Sequence, residues 1–122
     1  MGVHPSDDEL LCRSYRIDDG NDEELIVSIK RPVRLPQGHY ACRYEITGRG
    51  QNRQHEIQGA DAIDALLNAL SLIGSWLKGI NETEFHGLMR WGGADPGDIG
   101  FPTIEDHWPT GPMHLGKSGR SA

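Results

Sequence analysis

The residues with the clearest chemical pattern lie near the C-terminus. Gly111-Pro112-Met113-His114-Leu115-Gly116-Lys117-Ser118 fits GxxxxGK[ST], the pattern of a phosphate-binding loop. That chemistry needs a buried strand to deliver the loop and a helix after it, whose first N–H groups hold the phosphate. The preceding residues, His107-Trp108-Pro109-Thr110, are no buried strand, and only Gly119-Arg120-Ser121-Ala122 follow. The pattern is read as coincidence. Glu105, Asp106, His107 and His114 could ligate a metal, but seven residues separate the histidines, in a Pro/Gly segment, against the usual three to five. His55, His86 and the remaining histidines are read as ordinary surface or half-buried side chains. Asp95 and Asp98 flank a Pro-Gly turn. Two carboxylates are too few for calcium, which takes about 6–8 oxygens. Asp98 is expected instead to tie its own loop through an Asx hydrogen bond. No serine or cysteine sits in a nucleophile context. No catalytic residue, cofactor site or metal site is assigned.

What remains are residues suited to contact. Trp91 stands beside two glycines and Trp108 before a proline; partly exposed tryptophans are favoured contact residues. Arg43 and Arg53 belong to a locally basic stretch: residues 31–60 carry five arginines against two glutamates, whereas residues 1–30 carry eight acids against three bases. The candidate binding surface comprises Arg43, Arg53, Arg90, Trp91, Asp95, Asp98 and Phe101.

Alternating apolar residues predict the strands that must position these groups. Leu11–Ile17 puts Leu11, Tyr15 and Ile17 on one face, and Leu25–Lys30 puts Leu25, Val27 and Ile29 there. Tyr40–Thr47 alternates most clearly, with Tyr40, Cys42, Tyr44 and Ile46 inward. Asn52–Ile57 is weaker, with His55 and Ile57 inward. Asp18-Asp19-Gly20-Asn21, Pro36-Gln37-Gly38 and Thr47-Gly48-Arg49-Gly50 are turn clusters that join these runs into a meander. Pro32 should end or bulge the second strand. From Asp61 to Ile80 the period changes: Ile63, Leu66, Leu67, Leu70, Ile73 and Leu77 form the stripe of a helix. Gly79 and Asn81 are its expected stop signals, with Lys78 in the last turn. Gly74 costs about 1 kcal/mol against alanine unless close packing on the sheet requires it. Gly87–Trp91 is a candidate fifth strand, and Ile99 and Phe101 are expected to plug the end of the layer.

The whole is 122 residues with 12 basic and 18 acidic side chains. That is one domain by length, and the net charge of −6 argues against a nucleic-acid binder, which needs a basic face. No membrane partner is expected. Asn81-Glu82-Thr83 is a formal glycosylation sequon, without meaning in the absence of a secretion signal. Cys12 and Cys42, without a CxxC motif, read as half-buried reduced thiols in a cytoplasmic protein.

One combination of motifs is distinctive. Ala62-Ile63-Asp64-Ala65-Leu66-Leu67-Asn68-Ala69-Leu70, then Leu88-Met89-Arg90-Trp91, then Gly97-Asp98-Ile99-Gly100-Phe101-Pro102 resembles a family of small bacterial proteins of unknown function. These share an alanine- and leucine-rich helix, an Arg-Trp pair and a Gly-Asp-x-Gly-Phe-Pro ending. The resemblance covers roughly residues 55–103. It implies a bacterial origin and a shared fold, and no reaction.

The expected architecture is α+β in two layers: an antiparallel meander of about four strands packed on one long helix, with a short C-terminal strand or loop. Residues 1–103 form the domain, and 104–122 an extended, unstructured tail. A non-catalytic protein–protein interaction module, of accessory or immunity type, is the favoured function. The alternative is a small-molecule-binding protein or enzyme using the Asp95–Phe101 loop. An unidentified protein is the expected partner. A homodimer through sheet edges or through the helix's wide stripe, broadened by Leu72 and Trp76, fits the same pattern.

Overall fold

The structure is a computed structural model that describes residues 8–93 and 98–107. Six strands and one long helix form two layers. The strands are β1 (Glu9–Ile17), β2 (Leu25–Lys30), β3 (Val33–Arg34), β4 (Tyr40–Gly48), β5 (Gln51–Gly59) and β6 (Met89–Arg90). The helix α1 (Ala62–Thr83) lies between β5 and β6, and a single helical turn, α2 (Ile104–His107), closes the described chain. All pairings are antiparallel. The sheet runs β6, β1, β2 with β3, β4, β5.

The meander is the expected one, with two short strands more than the four that alternation predicts. β3 is the continuation of β2: Arg31-Pro32 interrupts pairing, and the chain returns to β4 through Val33↔Ala41 and Arg34↔Tyr40. Proline cannot donate to the ladder, so the break falls at Pro32 as anticipated. β6 lies within the candidate fifth strand and pairs only with Arg16 and Ile17. Between β4 and β5 the chain turns through Arg49 and Gly50 at φ 55° and 82°. Two successive positive φ values match the strand twist in a two-residue hairpin.

α1 begins where a reciprocal cap forms. Asp61 Oδ1 accepts from Asp64 N at 2.8 Å, satisfying a donor the helix leaves open, and Asp64 Oδ2 accepts from Ala60 N at 2.8 Å, fixing the chain that enters it. The helix runs past the expected stop at Gly79 to Thr83, so Lys78 is not in its last turn. One exposed glycine costs about 1 kcal/mol, too little to end a helix whose next residues, Ile80 and Asn81, are buried. The helix is capped at Glu84, and the chain then reverses through His86 and Gly87, both at positive φ. Asn81 Oδ1 then accepts from Met89 N at 3.0 Å, steering the chain into β6.

The core lies between α1 and one sheet face. Tyr15, Ile17, Leu25, Val27, Ile29, Cys42, Tyr44 and Ile46 meet Ala65, Ala69, Ile73, Leu77 and Ile80. α1 packs over β4 and β5, leaving β1 and the start of β2 to be covered by other parts of the chain. By length and hydropathy α1 could also cross a membrane. Its buried stripe against the sheet makes it the core helix of a two-layer domain. The expectation that both thiols are half-buried divides: Cys42 is buried and Cys12 exposed. Cys12 belongs to the outer face of β1, away from the helix, and burial pushes the Cys42 thiol up to about 11.

Candidate functional site

The Asp98–Pro102 segment covers the part of β1 that α1 leaves bare. Three successive carbonyls of this segment are each held by a different side chain. Asp98 O accepts from Trp91 Nε1 at 2.8 Å, Ile99 O accepts from the Tyr15 hydroxyl, and Gly100 O accepts from Arg13 Nη1 at 2.8 Å. The backbone of a segment without a ladder is thereby satisfied. Asp98 also forms its Asx turn, as expected: Oδ1 accepts from Gly100 N at 3.0 Å. Ile99 is buried in the core.

Arg13 is the hinge of this arrangement. Its guanidinium carbon lies 4.0 Å from the Trp91 ring centroid and 4.9 Å from that of Phe101. Both distances are within the range of cation–π attraction. Gly100, at φ 72°, passes against the Arg13 guanidinium and the Trp91 ring so closely that a Cβ would overlap both. Beyond it, the Pro102 carbonyl lies against Gly74 of α1, where again no Cβ would fit. Gly74 is thus required by the loop, not by the sheet. Ser75 Oγ then accepts from Ile104 N at 2.9 Å, seating α2 on the same helix. The rest of the expected tail, residues 108–122, including the phosphate-loop pattern and Trp108, lies outside the described residues.

Tyr15 is fully buried, and burial pushes its hydroxyl up to about 12. It stays a proton donor to Ile99 at any physiological pH. The polar groups of the segment are therefore engaged in holding it down.

Between the pinned segment and α1 the sheet remains open as an apolar cleft of about 270 Å³. Its lining includes Leu11, Val27, Ile29, Leu70, Phe101 and Pro102, and among the described residues Arg13 is its one charged residue. Leu11 is 52 % exposed at its edge. Ile63 and Leu67, 69 % and 41 % exposed, continue the Leu70 side of α1 at helical spacing. These three are among the five large apolar side chains most exposed in the described chain.

Of the residues expected to form a binding surface, the structure brings together Trp91, Asp98 and Phe101, all around Arg13. Arg90 turns away to Asp18, which also pairs with Arg16 at 2.8 Å; these contacts hold the Asp18 carboxyl below its usual range. Arg43 and Arg53 form no joint patch. Arg43 stands opposite Glu56 on the outer face, 63 % exposed and 3.7 Å from Asp8. Arg53 stands opposite buried Ile46 on the helix side, 4.1 Å from the Trp76 ring centroid. Asp95 lies outside the described residues. His55 is on the helix side of β5 but exposed, because β5 is an edge strand. Among the described residues, no three His, Cys, Asp or Glu side chains gather to hold a metal.

Sequence reasoning missed Arg13 and Tyr15 as the partners of this segment. The available signal was a charged residue at an inward position of an alternating strand, between Leu11 and Tyr15. A buried-side charge has to be engaged.

A family model matches residues 11–103, from within β1 to just past the pinned segment. The chain belongs to the family described as domain of unknown function DUF6968. The family match begins some 45 residues earlier than the motif resemblance, so it takes in the whole sheet and not the helix and ending alone. No curated protein and no solved structure matches the DUF6968 chain.

Proposed function

We propose that this DUF6968 domain is a non-catalytic protein-interaction module of a bacterial cytoplasm, and that its contact surface is the apolar cleft between α1 and the Asp98–Pro102 segment. The carrying observation is the exposure of Leu11, Ile63 and Leu67 around a cleft floored by Val27 and Ile29. Contiguous apolar surface of this kind costs free energy in water and marks sites of association. The occupant is an apolar segment of another protein that carries a carboxylate for Arg13, the only charge in the lining among the described residues. The small-molecule alternative is weaker on this ground. The cleft, at about 270 Å³, falls below the usual size of ligand pockets, about 300–1,000 Å³. Two free thiols, one of them exposed, support a reducing compartment.

The test is native capture from source cells with the wild-type chain and with Leu67→Glu. Leu67 is exposed, so the substitution leaves the fold intact and places a like charge before an acidic partner. A protein recovered in near-equal amount by the wild type and lost with Leu67→Glu supports the proposal. Recovery of no stoichiometric protein, or equal recovery by both chains, overturns it.

A further inference from the structure

The opposite flank of the molecule carries a different surface. β5 is the last strand of the sheet, and its nine residues pair with β4 without a bulge. In a two-residue hairpin the pair closing the turn, here Gly48↔Gln51, exchanges hydrogen bonds, and every second pair after it does the same. Residues 51, 53, 55, 57 and 59 thus bond to β4, and the N–H and C=O groups of Asn52, Gln54, Glu56 and Gln58 point outward. Gln58 O accepts from Asn68 Nδ2 of α1 at 2.9 Å, an independent sign of that alternation. Among the described residues, nothing caps the edge at Asn52, Gln54 and Glu56. Proteins guard such edges with proline, charged residues, bulges or a covering element. β5 has no proline, lysine or bulge, and its inward-facing charge, Arg53, is drawn back over the Trp76 ring of α1.

We propose that the β5 edge pairs with the β5 edge of a second copy of this chain, antiparallel, about a two-fold axis through Gln54. The open edge is symmetric about that residue, so all of its backbone groups find partners: Gln54 with Gln54 of the second copy, and Asn52 with Glu56 in both directions. The side chains agree, since each Glu56 carboxylate faces an Asn52 amide and no like charges stand opposite. Sliding by one allowed step fails both ways. One direction sets Arg53 against Arg53 and runs Glu56 onto the Gly50 turn. The other needs the Gln58 carbonyl, which Asn68 already occupies.

The helices fit the same occupant. α1 lies over β4 and β5, so its two-fold mate comes to rest about two strand spacings away, roughly 10 Å. That is the upper end of ordinary helix–helix distances, about 8–10 Å. The flank of α1 turned to the edge is set by Asn68 and by Trp76 over Arg53. It carries Leu72 and Trp76, both partly buried against the core, and Gly79, beside which there is open space. A second copy supplies the matching apolar stripe, and an isologous contact closes after two chains.

Sedimentation equilibrium of the full chain at about 0.1 mM, a concentration that populates modest interfaces, is the test. The expected mass is twice the 13.5 kDa of one chain. Gln54→Pro removes an outward N–H that β4 does not use, and Gln54→Lys sets two cations on the axis. Both are expected to sediment as single chains with unchanged circular dichroism, and if the proline variant does not fold, the lysine variant decides. Gln54→Cys is expected to give a disulfide-linked dimer under oxidation that dithiothreitol reverses, because hydrogen-bonded antiparallel pairs stand about 5.5 Å apart at Cα, within disulfide reach. A wild type that sediments as one chain throughout, or folded Gln54 variants that remain dimeric, overturns the proposal.

Discussion

Gly74→Ala separates two physical effects of opposite sign. In an isolated helix the change is favourable by about 1 kcal/mol, because alanine loses less backbone entropy. In this fold the new methyl falls on the Pro102 carbonyl and within 3.1 Å of Phe101 Cβ. The obstacle is backbone, not the end of a flexible side chain, so it has to move as a unit. Overpacking of that kind costs about 1–3 kcal/mol. Moving the segment further would release Ile99 from the core, worth about 1.5–3 kcal/mol of burial, and break the Arg13 and Tyr15 hydrogen bonds to it. The upper part of the overpacking range applies, and after the helix gain a net loss of about 2 kcal/mol remains. At about 4 °C per kcal/mol for a domain of this size, the melting temperature falls by about 8 °C. Thermal unfolding followed by far-ultraviolet circular dichroism measures the fall. Tryptophan emission then reports whether Trp91 has lost the Asp98 carbonyl and become more exposed. An unchanged or higher melting temperature would refute the argument that the Asp98–Pro102 segment is locked to α1.

Two further substitutions probe the same lock from the β1 side. Tyr15→Phe leaves the buried Ile99 carbonyl without its donor and lowers stability at pH 7 by about 1–3 kcal/mol in urea titration. The wild type should also lose stability in alkali: its folded hydroxyl titrates near 12 against an ordinary 10, so the contribution is whole below pH 10 and falls as pH rises through 12, by about 2–3 kcal/mol in all. The phenylalanine variant lacks that limb, and the stability difference between the two narrows across the window. Asp98→Ala removes one exposed Asx bond and is expected to cost about 0.5–1.5 kcal/mol without changing partner capture; loss of capture at unchanged stability would instead make Asp98 a ligand-binding residue.

Most of the architecture was legible because it rests on short-range periodicity. The alternation in Tyr40–Ile46 and the stripe from Ile63 to Leu77 each specify a face, and two apolar faces have one economical way to meet. Pro32 and the Arg49-Gly50 turn were legible for the same local reason. Less legible were features decided by distant neighbours. Gly79 looked like a stop, but Asn81 and Met89, joined by a hydrogen bond, carry the helix onward. Gly74 signalled close approach, yet nothing local says that the approaching group is the Pro102 carbonyl and not the sheet. Arg13 is the sharpest case. Its role depends on Trp91, Phe101 and Gly100, nearly eighty or more positions away, so only the fold makes it the centre of the site. Arg43 and Arg53 show the converse: shared charge sign along a strand pair suggested a patch, whereas the ladder register places them on opposite faces.

The claim that the cleft beside Arg13 is where this DUF6968 domain meets its partner is tested most directly by amide hydrogen exchange on the captured complex. The expected result is slower exchange than in the free chain at Leu11–Arg13, Leu66–Leu70 and Ile99–Phe101, with the outer face around Arg43 unchanged. Protection confined to other surfaces, with these three segments exchanging as in the free chain, would contradict it.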